Sequence, residues 1–296
     1  MSQSASVSRS DFRFFHRLRV RWAEVDMQKI VFNGHYLMYL DTAIADYWRS
    51  MAIPYEATMH QLGGDLYVKK AGLEYHASAR YDDVLDIGLK CARIGNSSMQ
   101  FVAGIFSGDQ LLITGELIYV YADPASQTSR SVPQSLRDIM NGFEAGEAMY
   151  EVRLGNWKEL EKPARQLRTE VFLEEQKVPV EMEWDEADAT AVHAVAFNRM
   201  GMPVATGRLL QPLTGDDSST VRIGRMAVTR VLRGTGLGRD ILLALMQRAR
   251  EQGRRKVVLH AQRSAEGFYQ RQGYIAQGET FVEASIDHIE MYKALT

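Results

Sequence analysis

Residues 221–253 read VRIGRMAVTRVLRGTGLGRDILLALMQRAREQG. Val221 and Ile223 alternate as strand residues do, and so do Met226 and Val228, but the first pair is odd-numbered and the second even. A slip of one residue within a strand is what a β-bulge produces, and Gly224 stands at the slip. The bulge predicts a strand that leans away from a neighbour and leaves backbone N–H and C=O groups open. RGTGLG follows. Gly234, Gly236 and Gly238 can take positive φ and, lacking a Cβ, let a ligand come close to the backbone. From about Gly236 a helix is predicted, with Leu237, Ile241, Leu242, Leu245 and Ala249 on one stripe. Open N–H groups at such a helix start, with the macrodipole, make a seat for phosphate. A plain strand-to-helix turn would share several of these features. The R-x-x-G-x-G spacing of Arg233, Gly236 and Gly238 just after a bulged strand is more particular. No acidic residue ends a second strand about twenty residues on, and no G-K-[ST] follows, so neither the dinucleotide fingerprint nor the P-loop fits.

These residues resemble the GNAT acetyltransferase superfamily. The resemblance implies that Arg233, Gly234, Thr235, Gly236, Leu237 and Gly238 hold the pyrophosphate of acetyl-CoA. It also implies that Met226, Ala227 and Val228 offer their backbone to the pantetheine arm. A second hallmark, F-Y-x-x-x-G-Y, falls at Phe268, Tyr269, Gly273 and Tyr274. Tyr269 matches the tyrosine that in many members protonates the departing CoA thiolate; a phenol near ~10 can donate to a thiolate near ~8.5. A core tyrosine anchoring its helix is the alternative. Arg168, Val171, Phe172, Glu175 and Gln176 resemble the opening of one GNAT branch, and Ile286, His288, Ile289 and Met291 resemble its final strand. Many members place a glutamate base on the bulged strand, whereas this chain has Arg222 and Arg225 there. Glu170, His193, His260 and His288 lie elsewhere, and none is assigned the role. The acidic run Glu181, Glu183, Asp185, Glu186 and Asp188 reads as a solvated loop or as an attraction for a cationic amine. Tyr150–Leu154 reads as a first strand, and Pro163 suits the first turn of the next helix. His193–Asn198 and Val204–Leu210 read as a hairpin, and Lys256–Ala261 as a buried strand before a helix ending at Gly273.

The front half has another pattern. Phe12 to Trp22 predicts a strand with Phe12, Phe14, His16, Leu18, Val20 and Trp22 on one side. From Gly34 a long helix carries Tyr36, Leu37, Leu40, Ala43, Ile44, Tyr47, Trp48 and Met51 on one broad face, as expected where protein wraps it. Strands are read at Gly72–Ala79, Leu85–Cys91, Ser98–Phe106 and Leu111–Tyr121, with turns at Asp82-Asp83, Gly95-Asn96 and Ser107-Gly108-Asp109. A short helix follows Pro133.

One long helix and then four antiparallel strands resembles the hotdog fold, a curved sheet around a central helix. Asp26, Ile30-Val31, Asn33, Tyr36, Tyr39 and Asp41 resemble the acyl-CoA thioesterases of the 4-hydroxybenzoyl-CoA type. That resemblance implies that Asp26 activates water or attacks the thioester carbonyl. It implies too that the N–H groups near Asn33 and Gly34 polarise the carbonyl, a task a helix start suits on physical grounds. Asp26 could instead be a turn or cap residue, Glu24 could share its role, and His35 is structural or, as in the hotdog dehydratases, catalytic. Asn33 stands where some of these thioesterases carry histidine. Met38, Met51, Met59, Tyr47 and Trp48 read as core or as acyl-pocket lining. The family also implies a homodimer or higher oligomer through this domain.

The expected fold is therefore α+β with two domains: a hotdog domain over 11–145 and a GNAT acyltransferase domain over 150–296, joined by a short segment. Composition is globular, 46% hydrophobic and 24% charged, and a net charge of −2 argues against nucleic acid or an anionic membrane as partner. Cys91 is the one cysteine, which excludes an internal disulfide, suits a reducing cytoplasm, and in an alternating strand reads as core. No apolar run reaches the ~18 residues of a membrane span, and the polar start MSQSASVSRSD predicts no secretory signal. The expected function is bifunctional: hydrolysis of an acyl-CoA in front, and acetyl transfer from acetyl-CoA to a small-molecule or peptide amine behind, with no metal. An acetyl-CoA sensor with one inactive head, or a hydratase in the front half, are the other readings.

Overall fold

A computed structural model describes residues 7–212 and 219–295; the first six residues of the polar start lie outside the described residues. The chain divides into two compact units, Met1–Met149 and Tyr150–Thr296.

The front unit runs β1 (Phe14–Arg19), α1 (His35–Ser50), α2 (Tyr55–Leu62), β2 (Asp65–Tyr75), β3 (Val84–Ile94), β4 (Ser98–Ser107), β5 (Gln110–Ala122) and α3 (Gln134–Ala145). Its antiparallel sheet has the order β1-β3-β4-β5-β2 and packs around α1. Ala103 of β4 pairs with Gly115 of β5, and a Cβ on Gly115 would stand 2.9 Å from Leu40 Cδ1. The small pair lets α1 press close on the sheet. Tyr36, Leu40, Ala43, Ile44, Tyr47, Trp48 and Met51 are buried as their spacing predicts, whereas Leu37 is exposed.

Three expectations are corrected here. Trp22 leaves the strand for a single 3-10 turn, Trp22–Glu24, and stands 75% exposed beside Tyr81. β2 begins at Asp65, seven residues before Gly72, because Val68, Lys69, Lys70 and Ala71 form an exposed edge with no apolar alternation. The helix α2, closed by Gly63 at φ 68°, was not foreseen. Cys91 is buried, and burial pushes its thiol up to about 12, so it is inert core.

The rear unit runs β6 (Tyr150–Gly155), α4 (Trp157–Arg168), a π-helical segment (Thr169–Glu175), α5 (Val180–Glu183), β7 (Val192–Asn198), β8 (Pro203–Leu210), β9 (Thr220–Val228), α6 (Leu237–Glu251), β10 (Lys256–Gln262), α7 (Glu266–Arg271), β11 (Ile275–Glu283) and β12 (Ile286–Ala294). The sheet order is β11-β12-β10-β9-β8-β7-β6. Pro163 lies inside α4 rather than in its first turn, because Asn156 and Glu159 form a capping box farther upstream. The predicted stripe of α6, Leu237, Ile241, Leu242, Leu245 and Ala249, is buried against the sheet.

Two features of this sheet position a site. β9 and β10 pair in parallel only at Lys256↔Thr220, Val257↔Val221 and Val258↔Arg222, and then part. β9 also bulges, but one residue later than Gly224. Gly224 keeps its pairing with Arg208, and Arg225 takes the left-handed conformation at φ 52°. The Arg225 guanidinium holds that strain by bonding Glu183 at 2.9 Å and the Met182 carbonyl at 2.7 Å.

Candidate active sites

In the front unit, Asp26 sits on a tight turn. Its N–H donates to the Ile30 carbonyl, its own carbonyl accepts from Lys29, and Oδ1 accepts from the Gln28 N–H at 2.8 Å. Bridges Val25↔Val31 and Ile30↔Arg80 fix the turn's flanks. Phe32 N–H donates to the Glu24 carbonyl, so the chain entering α1 runs back beside the segment that carries Asp26. Asn33 and Gly34 precede the helix, and neither N–H has a backbone acceptor among the described residues. Oδ2 of Asp26 likewise has no protein donor among the described residues. The turn and capping role is real for one carboxylate oxygen and leaves the other free.

Glu24 cannot share the work. It is buried, accepts from the Arg21 side chain and backbone, and accepts the Tyr39 hydroxyl at 2.8 Å. Burial raises its pKa, but those donors outweigh burial and hold it below the usual range. His35 is the first residue of α1, with its ring edge-on to Phe32. Met51, Met59, Tyr47 and Trp48 are core, whereas Met38 is exposed. Phe32, Tyr75 and Met27 are exposed as well, and the Tyr75 hydroxyl donates to the Asn33 carbonyl.

In the rear unit, a cavity of about 240 Å³ opens where β9 and β10 part. Ile223 to Met226 of β9 and Leu259, His260 and Gln262 of β10 line it, together with Tyr269 and His288. Gly234 and Gly236 have φ of 86° and 99°, and Gly236 offers α6 no capping side chain, so its first-turn N–H groups stay open. A Cβ added at Gly238 would stand 3.4 Å from Val228 Cγ2 and 3.7 Å from Phe268 Cζ, ordinary van der Waals contact. Thr235 bonds back to the Leu232 carbonyl. Arg233 is already engaged: its guanidinium forms a paired contact with Glu175 at 2.6 and 2.7 Å, and its Nε donates to the Val228 carbonyl.

Tyr269 is 8% exposed, its hydroxyl has no partner among the described residues, and burial pushes its pKa up to about 12. It therefore holds its proton at neutral pH. His193 is excluded as a base, being tilted against Trp157, bonded through Nε2 to the Asp188 carbonyl and outside the cavity lining. Glu170 lies outside the cavity lining.

The acidic run is not an attraction for cations. Arg168 binds Glu183 and Asp188, Arg208 binds Asp185 and Asp188, and Arg225 binds Glu183. Three buried or half-buried guanidinium groups thus neutralise three of the five carboxylates.

A family profile described as acetyltransferase (GNAT) domain matches residues 162–295, and one described as thioesterase superfamily matches residues 28–114. A Bacillus subtilis (strain 168) protein with a provisional acetyltransferase name is 35% identical over 133 residues, 44% of this chain and 86% of that protein. The rear unit belongs to the GNAT family, and residues 28–114 of the front unit are similar to the thioesterase superfamily. The uncharacterized N-acetyltransferase YjcF of the same organism is 33% identical over 133 residues, 45% of this chain and 91% of that protein. Among solved structures, a 1,4-dihydroxy-2-naphthoyl-CoA thioesterase from Synechocystis covers 43% of this chain and 95% of its own length, at 18% identity and a TM-score of 0.40.

Sequence reading missed part of the GNAT cavity. Ala284 and Ser285, at φ 50° and 62°, form a two-residue turn between β11 and β12 that sets Glu283, Ala284 and Ile286 on the wall. Such a turn favours Asn-Gly, and AS carries no such signal.

Proposed function

We propose that the chain is a two-headed, CoA-dependent enzyme: the front unit hydrolyses an acyl-CoA, and the rear unit moves acetyl from acetyl-CoA to a small-molecule or peptide amine. The observation that carries the reading is the parting of β9 from β10 over a cavity, in a unit whose glycine loop opens a helix. In the rear unit, the N–H groups from Gly234 to Gly238 receive the pyrophosphate of the nucleotide, a role suited to an uncapped helix start. Met226, Ala227 and Val228 give backbone bonds to the pantetheine arm in the gap. Arg233 steadies the loop through Glu175 and borders the phosphates. Tyr269 returns a proton to the CoA sulfur.

In the front unit, the free oxygen of Asp26 activates water or attacks the carbonyl carbon, and the Asn33 and Gly34 N–H groups draw charge onto the carbonyl oxygen. The exposed Phe32, Met38 and Tyr75 beside that helix start are covered by a second copy of the chain. Dilution of the protein below its dimer Kd should then reduce hydrolysis per chain while leaving acetyl-CoA binding by the rear unit unchanged. Unchanged specific activity for a monomer in sedimentation would remove the dimer from the proposal.

Arg222 and Arg225 stand on β9 where a carboxylate base is usual, and this favours one alternative, a rear unit that senses acetyl-CoA without transferring it. The deciding experiment follows thiol release from short, long and aromatic acyl-CoAs, with and without primary amines, beside calorimetry with acetyl-CoA. Tight binding with no acetylated product from any amine would support the sensor.

A further inference from the structure

Acetyl transfer to an amine needs a proton acceptor, and the carboxylates nearest β9 are taken: Glu183 by Arg168 and Arg225, Asp185 by Arg208. The cavity wall holds two histidines, His260 and His288. Their surroundings differ. Nδ1 of His260 lies 3.8 Å from Glu283, and Nε2 lies 3.7 Å from Glu290, so each nitrogen already has an acidic neighbour. His288 is 8% exposed, packed flat on Phe281, and its Nδ1 lies 2.8 Å from the Ile286 carbonyl. A carbonyl can only accept, so Nδ1 carries the proton. The neutral ring then has its lone pair on Nε2, which has no protein partner among the described residues.

We propose that His288 is the general base of the rear unit, its tautomer fixed by the Ile286 carbonyl and its Nε2 open to the amine in the cavity that Tyr269 also lines. The inference rests on the acetyltransferase reading given above. The amine nitrogen attacks the acetyl carbon and forms the C–N bond, and its proton passes to Nε2 of His288. The C–S bond breaks as the carbonyl reforms, and Tyr269 gives its hydroxyl proton to the leaving sulfur. Solvent then carries the proton from His288 back to Tyr269, so amide and free CoA thiol are the only net products. An amine that arrives as ammonium first loses one proton to water. The other titratable groups on the wall are His260, Glu283, the Arg225–Glu183 pair, the Arg208–Asp185 pair and Arg222.

The test uses full-length chain carrying Asp26→Ala, so that hydrolysis by the front unit does not add to thiol release. Acetyl-CoA is offered with n-hexylamine, 1,4-diaminobutane and glycine, and CoA release is measured from pH 5.5 to 9. With whichever amine is accepted, His288→Gln should lower kcat about 100-fold, leave the KM for acetyl-CoA within a factor of about two, and abolish the acid limb of the kcat profile. A full rate, or a retained acid limb, overturns the proposal. So does an acid limb lost in Glu283→Gln and kept in His288→Gln. Nitrogen-15 NMR of the histidine rings gives a readout that needs no amine: the expected pattern for the neutral His288 ring is a proton on Nδ1 and a bare Nε2, and a neutral ring protonated on Nε2 overturns the assignment. Calorimetry separates the two levels of the argument. Failure of the wild-type chain to bind acetyl-CoA sinks the acetyltransferase reading itself, whereas binding with an unaffected His288→Gln rate sinks only the base.

Discussion

In the front unit, Asp26 lies on a half-buried turn and apolar side chains such as Phe32, Met38 and Tyr75 stand in solvent near the start of α1. In the rear unit, Tyr269 and His288 are nine-tenths buried and line a cavity formed within one chain. Excluding water strengthens every electrostatic contact inside a site. A single rear unit buries Tyr269 and His288 without a partner, whereas the front unit leaves its apolar margin uncovered. The two heads, as proposed, reach the same need for dryness by different means: one through its own hairpin and strand gap, the other through association.

The largest expected effect that would break this contrast is kinetic. Asp26→Ala should lower acyl-CoA hydrolysis by roughly 10²–10⁴-fold, with acetyl-CoA affinity by calorimetry unchanged. Retention of the wild-type hydrolysis rate would falsify the assignment of Asp26.

Next comes the charge cluster. Arg168 is 1% exposed and bonded to both Glu183 and Asp188, so Arg168→Ala removes one of two guanidinium partners from each, leaving Glu183 to Arg225 and Asp188 to Arg208. The cost should be about 1–3 kcal/mol, read by scanning calorimetry as a lowered rear-unit transition with the front-unit transition in place. A shift shared by both transitions would mean that the units do not melt separately.

Tyr269→Phe removes only a hydroxyl. Transfer should fall roughly 10²-fold, with acetyl-CoA binding retained, because the ring still packs and only the thiol's proton source is lost. A variant at full speed would return Tyr269 to the role of core anchor.

The smallest effect is on pH. Burial holds His193 below its ordinary pKa, with the Asp188 carbonyl opposing more weakly. The unfolded chain therefore takes up a proton below about pH 6.5 that the folded chain refuses. The stabilisation is complete above that pH and declines as pH falls toward the folded value. Denaturant melts from pH 7 to 5 should show this slope, and His193→Gln should flatten it. Asp185 and Asp188, held low chiefly by Arg208 and by the Arg168 and Arg208 pair against burial, lose their share only in the carboxylate range.

Much of this was legible because period and punctuation suffice for it. The stripe Leu237, Ile241, Leu242, Leu245 and Ala249, the glycines at 234 and 236, and the apolar face of α1 all follow from local pattern. What pattern could not give depends on partners distant in sequence. The slip in β9 was visible, and Gly224 was placed at it because it stands between the two alternating pairs. The irregular residue is Arg225, at positive φ and held by a carboxylate and a carbonyl about forty residues upstream. The acidic run read as free charge for the same reason, since Arg168, Arg208 and Arg225 are not its neighbours in the chain. The early part of β2 escaped because an edge strand need not alternate. For the candidate sites, residue types were readable, but the engagement of Arg233 by Glu175 and the tautomer of His288 are products of folding.

The Ala284–Ser285 turn carries a consequence for engineering. Two successive non-glycine residues held at positive φ store conformational strain of about 1 kcal/mol or more each. Asn-Gly at these positions would release it and should raise the melting temperature of the rear unit. The same exchange would soften the rim that frames Glu283 and Ile286. Durability gained there should therefore be paid in turnover, and this hairpin is where the two qualities trade against each other.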